Sequence, residues 1–266
     1  SNREDGTRRR KTVSCQKSFY TRKSNLVHFY TNVQKYKDFI LARGIKNGER
    51  YIKRLKYEPT LYIPTKKHTA HKSIRGENLQ AKKFGSINHA RNWSKKFKDT
   101  NIDIHGLDQW EYTYINEVFP SDIEFDIKQL NVLNIDIECE CENGFPEPTD
   151  ADEKVNAITM KLFGHDTIHV IGTDNFEFKT DNPNIKYYKC QHELELLKTF
   201  MNVWDELQPD IVTGWNVETF DIAYLVNRIW KLFNWDTVTQ LSPHKLVTSR
   251  EWFYMGQKKM VSYNIS

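Results

Sequence analysis

Residues 131–140 read NVLNIDIECE, a stretch in which apolar and polar side chains alternate with a period of two. Successive side chains of a strand point to opposite faces of its sheet. The pattern therefore predicts a strand with one apolar face. The side chains predicted on that face are Leu133, Ile135, Ile137 and Cys139. The opposite face would present Asn134 with two carboxylates, Asp136 and Glu138, about 6.6 Å apart along the strand.

The remainder of the chain after this strand combines strand and helix patterns. The predicted order is strands at 155–163 and 167–171 paired as a hairpin, a strand at 185–190, a helix at 192–207, a strand at 210–213, a helix at 219–233 and a hairpin around 252–263. The predicted apolar side of the first helix consists of Leu194, Leu197, Phe200, Met201, Trp204 and Leu207. We expect an α/β (α+β) domain over residues 131–266, in which helices pack on a mixed sheet.

The region before residue 131 divides into two parts. Residues 1–27 are basic and lack apolar periodicity, which is typical of a disordered tail or of a vector-derived or upstream segment. Residues 28–130 are expected to form a small N-terminal α+β domain. Within it, Asn47-Gly48 predicts a turn between two strands, residues 88–97 predict a helix and residues 110–119 predict a strand.

Charge is distributed unevenly along the chain. Residues 1–100 hold 26 Lys and Arg against 7 Asp and Glu, whereas residues 101–266 hold 13 against 28. The basic part suits phosphate backbones, and the acidic part is rich in ligands for hard cations. Simple attraction between two adjacent domains is the alternative. No apolar run is long enough to span a bilayer, so we expect no membrane association.

A second motif, TGWNVETFD at residues 213–221, predicts a strand that turns into a helix. Asp221 would lie in the first helical turn, where the helix dipole favours a negative charge and also a phosphate nearby. Read alone, Asp221 fits an ordinary helix-capping residue. Asp136 and Glu138, read alone, fit the solvated face of a strand.

Together, the D-x-E strand and the T-G-x-N-x-x-x-F-D turn resemble the first two exonuclease motifs of family B DNA polymerases, most closely the T-even-like phage type. The segments GFPEP (144–148), FYTNV (29–33), YEPTLY (57–62) and LSPHK (241–245) also resemble that group. The resemblance covers residues 28–266. It implies an N-terminal domain followed by an RNase H-like 3′→5′ exonuclease domain that proofreads DNA during replication.

The resemblance also implies a metal site. Asp136, Glu138 and Asp221 would be the catalytic residues and would hold two divalent cations. Two-metal hydrolysis of a phosphodiester requires oxygen ligands on a rigid scaffold. Carboxylates select Mg²⁺ or Mn²⁺ over softer metals.

Three further residues are expected to contact DNA. Asn216 matches the family asparagine that contacts terminal nucleotides, and its alternative role is that of a turn residue. Phe145 would stack on a frayed base, or else pack against Pro146 and Pro148. Phe220 would lie near the terminal base or belong to the core. Residues 246–261 align with the hairpin that helps to part primer from template in this family.

The sequence departs from the family pattern near its end. The third exonuclease motif is Tyr-x-x-x-Asp, and Tyr263 begins a similar run without the aspartate. The palm motifs of polymerases are also missing. We therefore expect an exonuclease domain truncated at its C-terminus, either an engineered fragment or one piece of a split polymerase, with little activity in isolation.

The resemblance implies partners as well. These are the single-stranded 3′ end of a primer-template DNA, the remaining polymerase segment or a separate polymerase chain, and a sliding clamp reached through that segment. A viral protein of this kind would act in the cytoplasm of the infected host cell. The alternative function is a non-catalytic module that binds RNA or template DNA for a split polymerase.

Overall fold

A computed structural model describes residues 27–106, 109–142, 144–173, 179–255 and 258–266. Except for residue 27, the predicted basic tail at 1–27 lies outside the described residues. The elements of the first half are β1 (His28–Tyr36), β2 (Phe39–Lys46), β3 (Glu49–Lys56), β4 (Thr60–Pro64), β5 (His71–Lys72), β6 (Asn78–Lys83), α1 (Ile87–Lys95) and α2 (Trp110–Val118). A short 3₁₀ helix, Ile127–Gln129, leads into the second half.

The first half contains two small antiparallel sheets. The strands of one follow the order β1-β2-β3, and those of the other follow β4-β6-β5. Asn47 and Gly48 both adopt positive φ angles, as a tight turn between β2 and β3 requires. Ile40, Leu61, Ile87 and Trp110 belong to one buried apolar cluster that joins the sheets to α1 and α2. This confirms the predicted turn, and it confirms the helix near residues 88–97.

The strand predicted at residues 110–119 is wrong, because this segment forms α2. Trp110 and Tyr114 are buried while Tyr112 is exposed. Spacing of four residues between buried positions is that of a helix face. The aromatic and β-branched residues of WEYTYINEV favour strands in isolation, and packing of Trp110 and Tyr114 against Tyr57 overrides that preference.

The second half is built on a five-stranded sheet. Its elements are β7 (Val132–Cys139), β8 (Val155–Leu162), β9 (Ile168–Thr173), β10 (Ile185–Cys190), α3 (Glu193–Leu207), β11 (Ile211–Thr213), α4 (Asp221–Leu232), α5 (Trp235–Thr239), β12 (Val247–Tyr254) and β13 (Lys258–Ile265). The strand order is β10-β9-β8-β7-β11. The two outer pairs are parallel and the inner pairs are antiparallel. The predicted mixed sheet and α+β class are confirmed.

Helix α3 packs against the sheet as predicted, with one correction. Leu197, Phe200 and Trp204 are buried, whereas Leu194 is 42% exposed. Leu196 and Val203 are buried in its place, so the apolar face is rotated from the one inferred. The strands β12 and β13 form the expected antiparallel hairpin. Within the described residues, no helix is long and apolar enough to cross a membrane.

Candidate active site

Strand β7 has the two faces that its sequence predicts. Leu133, Ile135 and Ile137 are buried in the main core, while Asp136 and Glu138 are exposed. On one edge, β7 pairs with β8 along most of its length, from Leu133 to Cys139. On its other edge, β11 pairs only as far as Asn134. In the part of the chain that the structure describes, the stretch of β7 that carries the two carboxylates therefore has one edge without a neighbouring strand.

Gly214 ends β11 and turns the chain away from β7. A Cβ atom at Gly214 would lie 2.5 Å from the carbonyl oxygen of Ile135, a distance too short for any other residue to fit without a shift. The chain then passes through Asn216, whose φ angle is +55°. The carbonyl oxygen of Asn216 accepts hydrogen bonds from the amides of Thr219 and Phe220. This turn places the start of α4 beside the open edge of β7.

Asp221 is the first residue of α4, and its side chain reaches the open edge of β7. The residue is only 3% exposed, and Oδ1 accepts a hydrogen bond of 3.1 Å from the backbone N–H of Ile137. Ile137 lies between Asp136 and Glu138 on the strand. The Asp221 carboxylate therefore meets β7 between the two acidic residues.

The electrostatic environment of Asp221 reflects this position. Burial is the main cause that raises the pKa of the Asp221 carboxyl, and the charges of Asp136 and Glu138 raise this pKa further. Hydrogen bonds from the backbone N–H groups of Asp221 and Ile137 act in the opposite direction. A buried carboxylate beside two others favours protonation or a cation. Among the described residues, however, no three His, Cys, Asp or Glu side chains converge into a preformed metal cage.

A cavity of about 320 Å³ adjoins these acids. It is lined by Asp136, Ile137, Phe145, Glu147, Pro148, Thr149, Trp215, Asn216, Thr219, Phe220, Asp221, Lys259, Met260 and Val261. The three residues predicted to contact DNA, Phe145, Asn216 and Phe220, all lie on its wall. The predicted metal ligands Asp136 and Asp221 line it too, while Glu138 lies outside the lining set.

The aromatic wall of the cavity is accessible. Phe145 is 73% exposed, and its ring centroid lies 5.4 Å from that of Phe220. Phe220 in turn packs partly against the main core. The alternative of packing against Pro146 and Pro148 does not bury Phe145. Phe220, in contrast, does take its alternative role in part, because it packs against the core. Asn216 also fills its alternative role as a turn residue, since its side-chain Oδ1 accepts a hydrogen bond from the Thr219 hydroxyl.

The sequence-based predictions missed two residues of this wall. Trp215 is 93% exposed at the turn after β11, and the signal for it in the sequence was a tryptophan placed between a glycine and an asparagine, the residues of a turn. Lys259 comes from β13 and forms a 2.9 Å ion pair with Glu251 on the hairpin surface. No local pattern indicated that this hairpin reaches the acidic strand.

The loop that carries Phe145 is attached to α4. Asn227 Nδ2 donates a 2.8 Å hydrogen bond to the carbonyl oxygen of Pro148. Arg228 donates to the carbonyl oxygens of Ala151 and Asp152 and forms a buried ion pair with Glu193. One helix therefore supplies Asp221 at its start and holds the opposite wall of the cavity with its middle turns.

Comparison with known proteins identifies the family of this chain. Residues 78–266 match the model of the family described as DNA polymerase family B, exonuclease domain. The chain belongs to this family. The matched range includes every candidate residue of the cavity, so the acidic strand and the start of α4 are parts of a family B exonuclease domain.

Individual relatives are viral DNA polymerases. The chain is similar to the DNA-directed DNA polymerase of Escherichia phage RB69, with 30% identity over 243 residues, which cover 82% of this chain and 27% of the relative. It is also similar to the DNA-directed DNA polymerase of Enterobacteria phage T4, with 27% identity over 84% of this chain and 27% of the relative. A DNA polymerase catalytic subunit of Equine herpesvirus 2 is 28% identical over 42% of the chain and 12% of the relative.

This exonuclease-domain chain spans about a quarter of the length of its phage relatives, 27% in both. Its match to the family covers the mixed sheet and extends back to Asn78 in β6. The domain boundary expected at residues 130 and 131 stays a prediction.

Proposed function

We propose that this exonuclease domain removes nucleotides from the 3′ end of single-stranded or frayed DNA by metal-dependent hydrolysis. The observation that supports it most directly is the buried carboxylate of Asp221 at the open edge of β7, hydrogen-bonded between Asp136 and Glu138. In the reaction, water adds to the terminal phosphorus, the bond from phosphorus to the preceding 3′ oxygen breaks, and that oxygen takes up a proton. The product released is a 5′-mononucleotide.

The donor atoms of this site fit two Mg²⁺ or Mn²⁺ ions. Asp136, Glu138 and Asp221 would hold them, because carboxylate oxygens are the ligands that these hard cations prefer. Burial raises the pKa of Asp221 most, and the charges of Asp136 and Glu138 raise it further; a cation bound there would offset that repulsion. Asp136 and Glu138 are exposed, so rotation of their side chains toward Asp221 meets little resistance from packing. When bound, the cations would activate the attacking water and stabilise the leaving oxygen.

The remaining wall of the cavity would bind the terminal nucleotide. Phe145 and Trp215 offer exposed aromatic faces on which a base can stack, an interaction that tolerates any sequence. Asn216 lies on the turn between Trp215 and Asp221 and presents its side-chain amide to the same cavity. Lys259 lines the cavity and pairs with Glu251 on the exposed face of the hairpin, and it would exchange this partner for a phosphate of the DNA.

The wider setting is also part of this proposal. The longer phage relatives are DNA polymerases, so we expect the domain to act with a polymerase segment on primer-template DNA and, through that segment, with a sliding clamp. The expected place of action is the cytoplasm of the infected host cell.

The test is digestion of a 5′-labelled oligonucleotide with Mg²⁺, by the chain alone and by the chain mixed with the polymerase segment that its relatives carry. A ladder of products shortened from the 3′ end is expected, and a blocking group on the 3′ terminus should prevent it. Combined substitution of Asp136→Ala and Glu138→Ala should abolish digestion. Asn134→Ala, on the same exposed face, is the matched control. Normal digestion by the double variant would overturn the assignment.

A further inference from the structure

A buried carboxylate joins the two halves of the chain at a distance from the cavity. The side chain of Asp210 is 2% exposed and lies just before β11. Its Oδ2 accepts hydrogen bonds from Arg50 Nη1 at 2.7 Å and from the backbone N–H of Asn131 at 2.9 Å. Arg43 Nη2 lies 3.5 Å from its Oδ1. We name Arg43, Arg50, Asn131 and Asp210 the Asp210 cluster.

The two arginines come from the β1-β2-β3 sheet, Arg43 from β2 and Arg50 from β3. Both donate hydrogen bonds to backbone carbonyl oxygens just ahead of β7 or β11. Arg50 Nη2 donates to the carbonyl oxygen of Gln129, just ahead of β7, at 3.0 Å. Arg43 Nη2 donates to the carbonyl oxygen of Pro209, just ahead of β11, at 3.2 Å. Each guanidinium therefore contacts the chain at the point where one of the two strands begins and also contacts Asp210.

The strands β7 and β11 pair over only three residues, and the Asp210 cluster lies at the start of that short pairing. Beyond that pairing, β7 continues to Asp136 and Glu138, and the chain after β11 turns at Gly214 and leads to Asp221 at the start of α4. A change at the start of the two strands would alter the distance between the carboxylates of the site. The N–H of Ile137 lies between Asp136 and Glu138 and donates to Asp221, so this hydrogen bond should respond to any displacement of Asp221 from β7.

We propose that Arg50, assisted by Arg43, is a positioning residue of the exonuclease site: through Asp210 it sets the register of β7 and β11 and so the placement of Asp221 against Asp136 and Glu138. The expected effect on metal binding rests on the proposed function, whereas the positioning of the two strands does not. The β1-β2-β3 sheet thereby takes part in the geometry of a site whose described lining includes none of its residues.

A set of variants distinguishes an effect on the placement of β7 and β11 from a general loss of folding stability. Arg50→Met leaves a buried charge on Asp210 without its best partner, and that variant alone would lose stability. Adding Asp210→Asn removes the stranded charge and keeps an acceptor for the Asn131 N–H, so the double variant should regain its melting temperature without the guanidinium contacts. Lys56→Met, an exposed residue of the same face of β3, is the control for the loss of one positive charge.

Two readouts decide the proposal. The first is amide hydrogen exchange at Ile137, compared with Ile158 inside the sheet. In the double variant Ile137 should exchange about tenfold faster while Ile158 is unchanged. The second is titration with Mn²⁺. We expect the double variant to bind Mn²⁺ about tenfold more weakly, since loss of residues that orient metal ligands lowers metal affinity by about this factor. Lys56→Met should change neither.

The proposal is overturned if Ile137 exchange and Mn²⁺ affinity in the double variant match the parent chain. It is equally overturned if Ile137 and Ile158 accelerate together, since that pattern indicates a general loss of stability. Should Mn²⁺ binding be insensitive to Asp136→Asn in the parent chain, the proposed function fails, and the exchange of Ile137 still decides whether Arg50 positions the strands.

Discussion

The backbone N–H of Ile137 donates a 3.1 Å hydrogen bond to Oδ1 of Asp221, although 84 positions separate the two residues in the chain. This bond occupies the edge of β7 that β11 leaves open. It also brings the buried carboxylate of Asp221 to the strand that carries the two exposed ones. Because of this hydrogen bond, the contribution of Asp221 to folding stability can be measured separately from its proposed catalytic role.

Substitution of Asp221 should distinguish its charge from its hydrogen bond. Asp221→Asn keeps an acceptor for Ile137 N–H and removes a buried charge, so its unfolding free energy should equal or exceed that of the parent chain. Asp221→Ala leaves the amide unpaired and should lose about 1–3 kcal/mol. Urea unfolding without divalent metal measures both. An asparagine variant less stable than the alanine variant would contradict this reading, and both should lack nuclease activity.

Removal of the Phe145 ring should weaken binding of a single-stranded 3′ end. Stacking of one base on an aromatic side chain contributes about 1–3 kcal/mol, so Phe145→Ala should lower affinity accordingly for an oligonucleotide with 2-aminopurine at its 3′ terminus. Fluorescence of that base reports stacking directly. Phe163→Ala removes an exposed ring away from the cavity and is the control. Equal loss in both variants would argue against a specific stack.

The ion pairs of α4 should differ sharply in their effect on stability. Arg228 and Glu193 are 2.7 Å apart with side chains 7% and 9% exposed, so Arg228→Met strands a buried carboxylate and should cost about 3–5 kcal/mol. Lys231 pairs with Asp152 one turn later, where both side chains are solvated. Lys231→Met should leave the unfolding free energy nearly unchanged. Similar losses from the two substitutions would disprove the distinction.

Cys139 at the end of β7 should behave as a protected thiol. Burial raises its pKa from 9.0 to about 12, so at pH 8 its thiolate fraction should be about a thousandfold smaller in the folded than in the unfolded chain. Because the folded-state pKa is raised, the thiol's contribution to stability is present below pH 9 and is lost as pH rises toward 12. Pulsed alkylation with mass spectrometry across this range tests it. Alkylation of Cys139 at equal rates with and without denaturant would contradict the prediction.

The sequence by itself determined the local framework of the site. The alternation in NVLNIDIECE placed Asp136 and Glu138 on one exposed face of β7, because side-chain direction in a strand follows from residue number alone. The T-G-x-N turn placed Asp221 in the first turn of α4 for a similarly local reason. The helical periodicity of residues 192–207 identified α3, although the rotation of its buried face was misjudged at Leu194.

Only the tertiary structure decided how these pieces meet. The hydrogen bond from Ile137 to Asp221, the approach of β13 with Lys259 and the contact of Arg50 with Asp210 join residues far apart in sequence. Such contacts depend on which strands are neighbours and where a sheet edge is left open, and periodicity reports only which side of an element is apolar. The same reason explains α2, where burial of Trp110 and Tyr114 outweighed the strand preference of the segment.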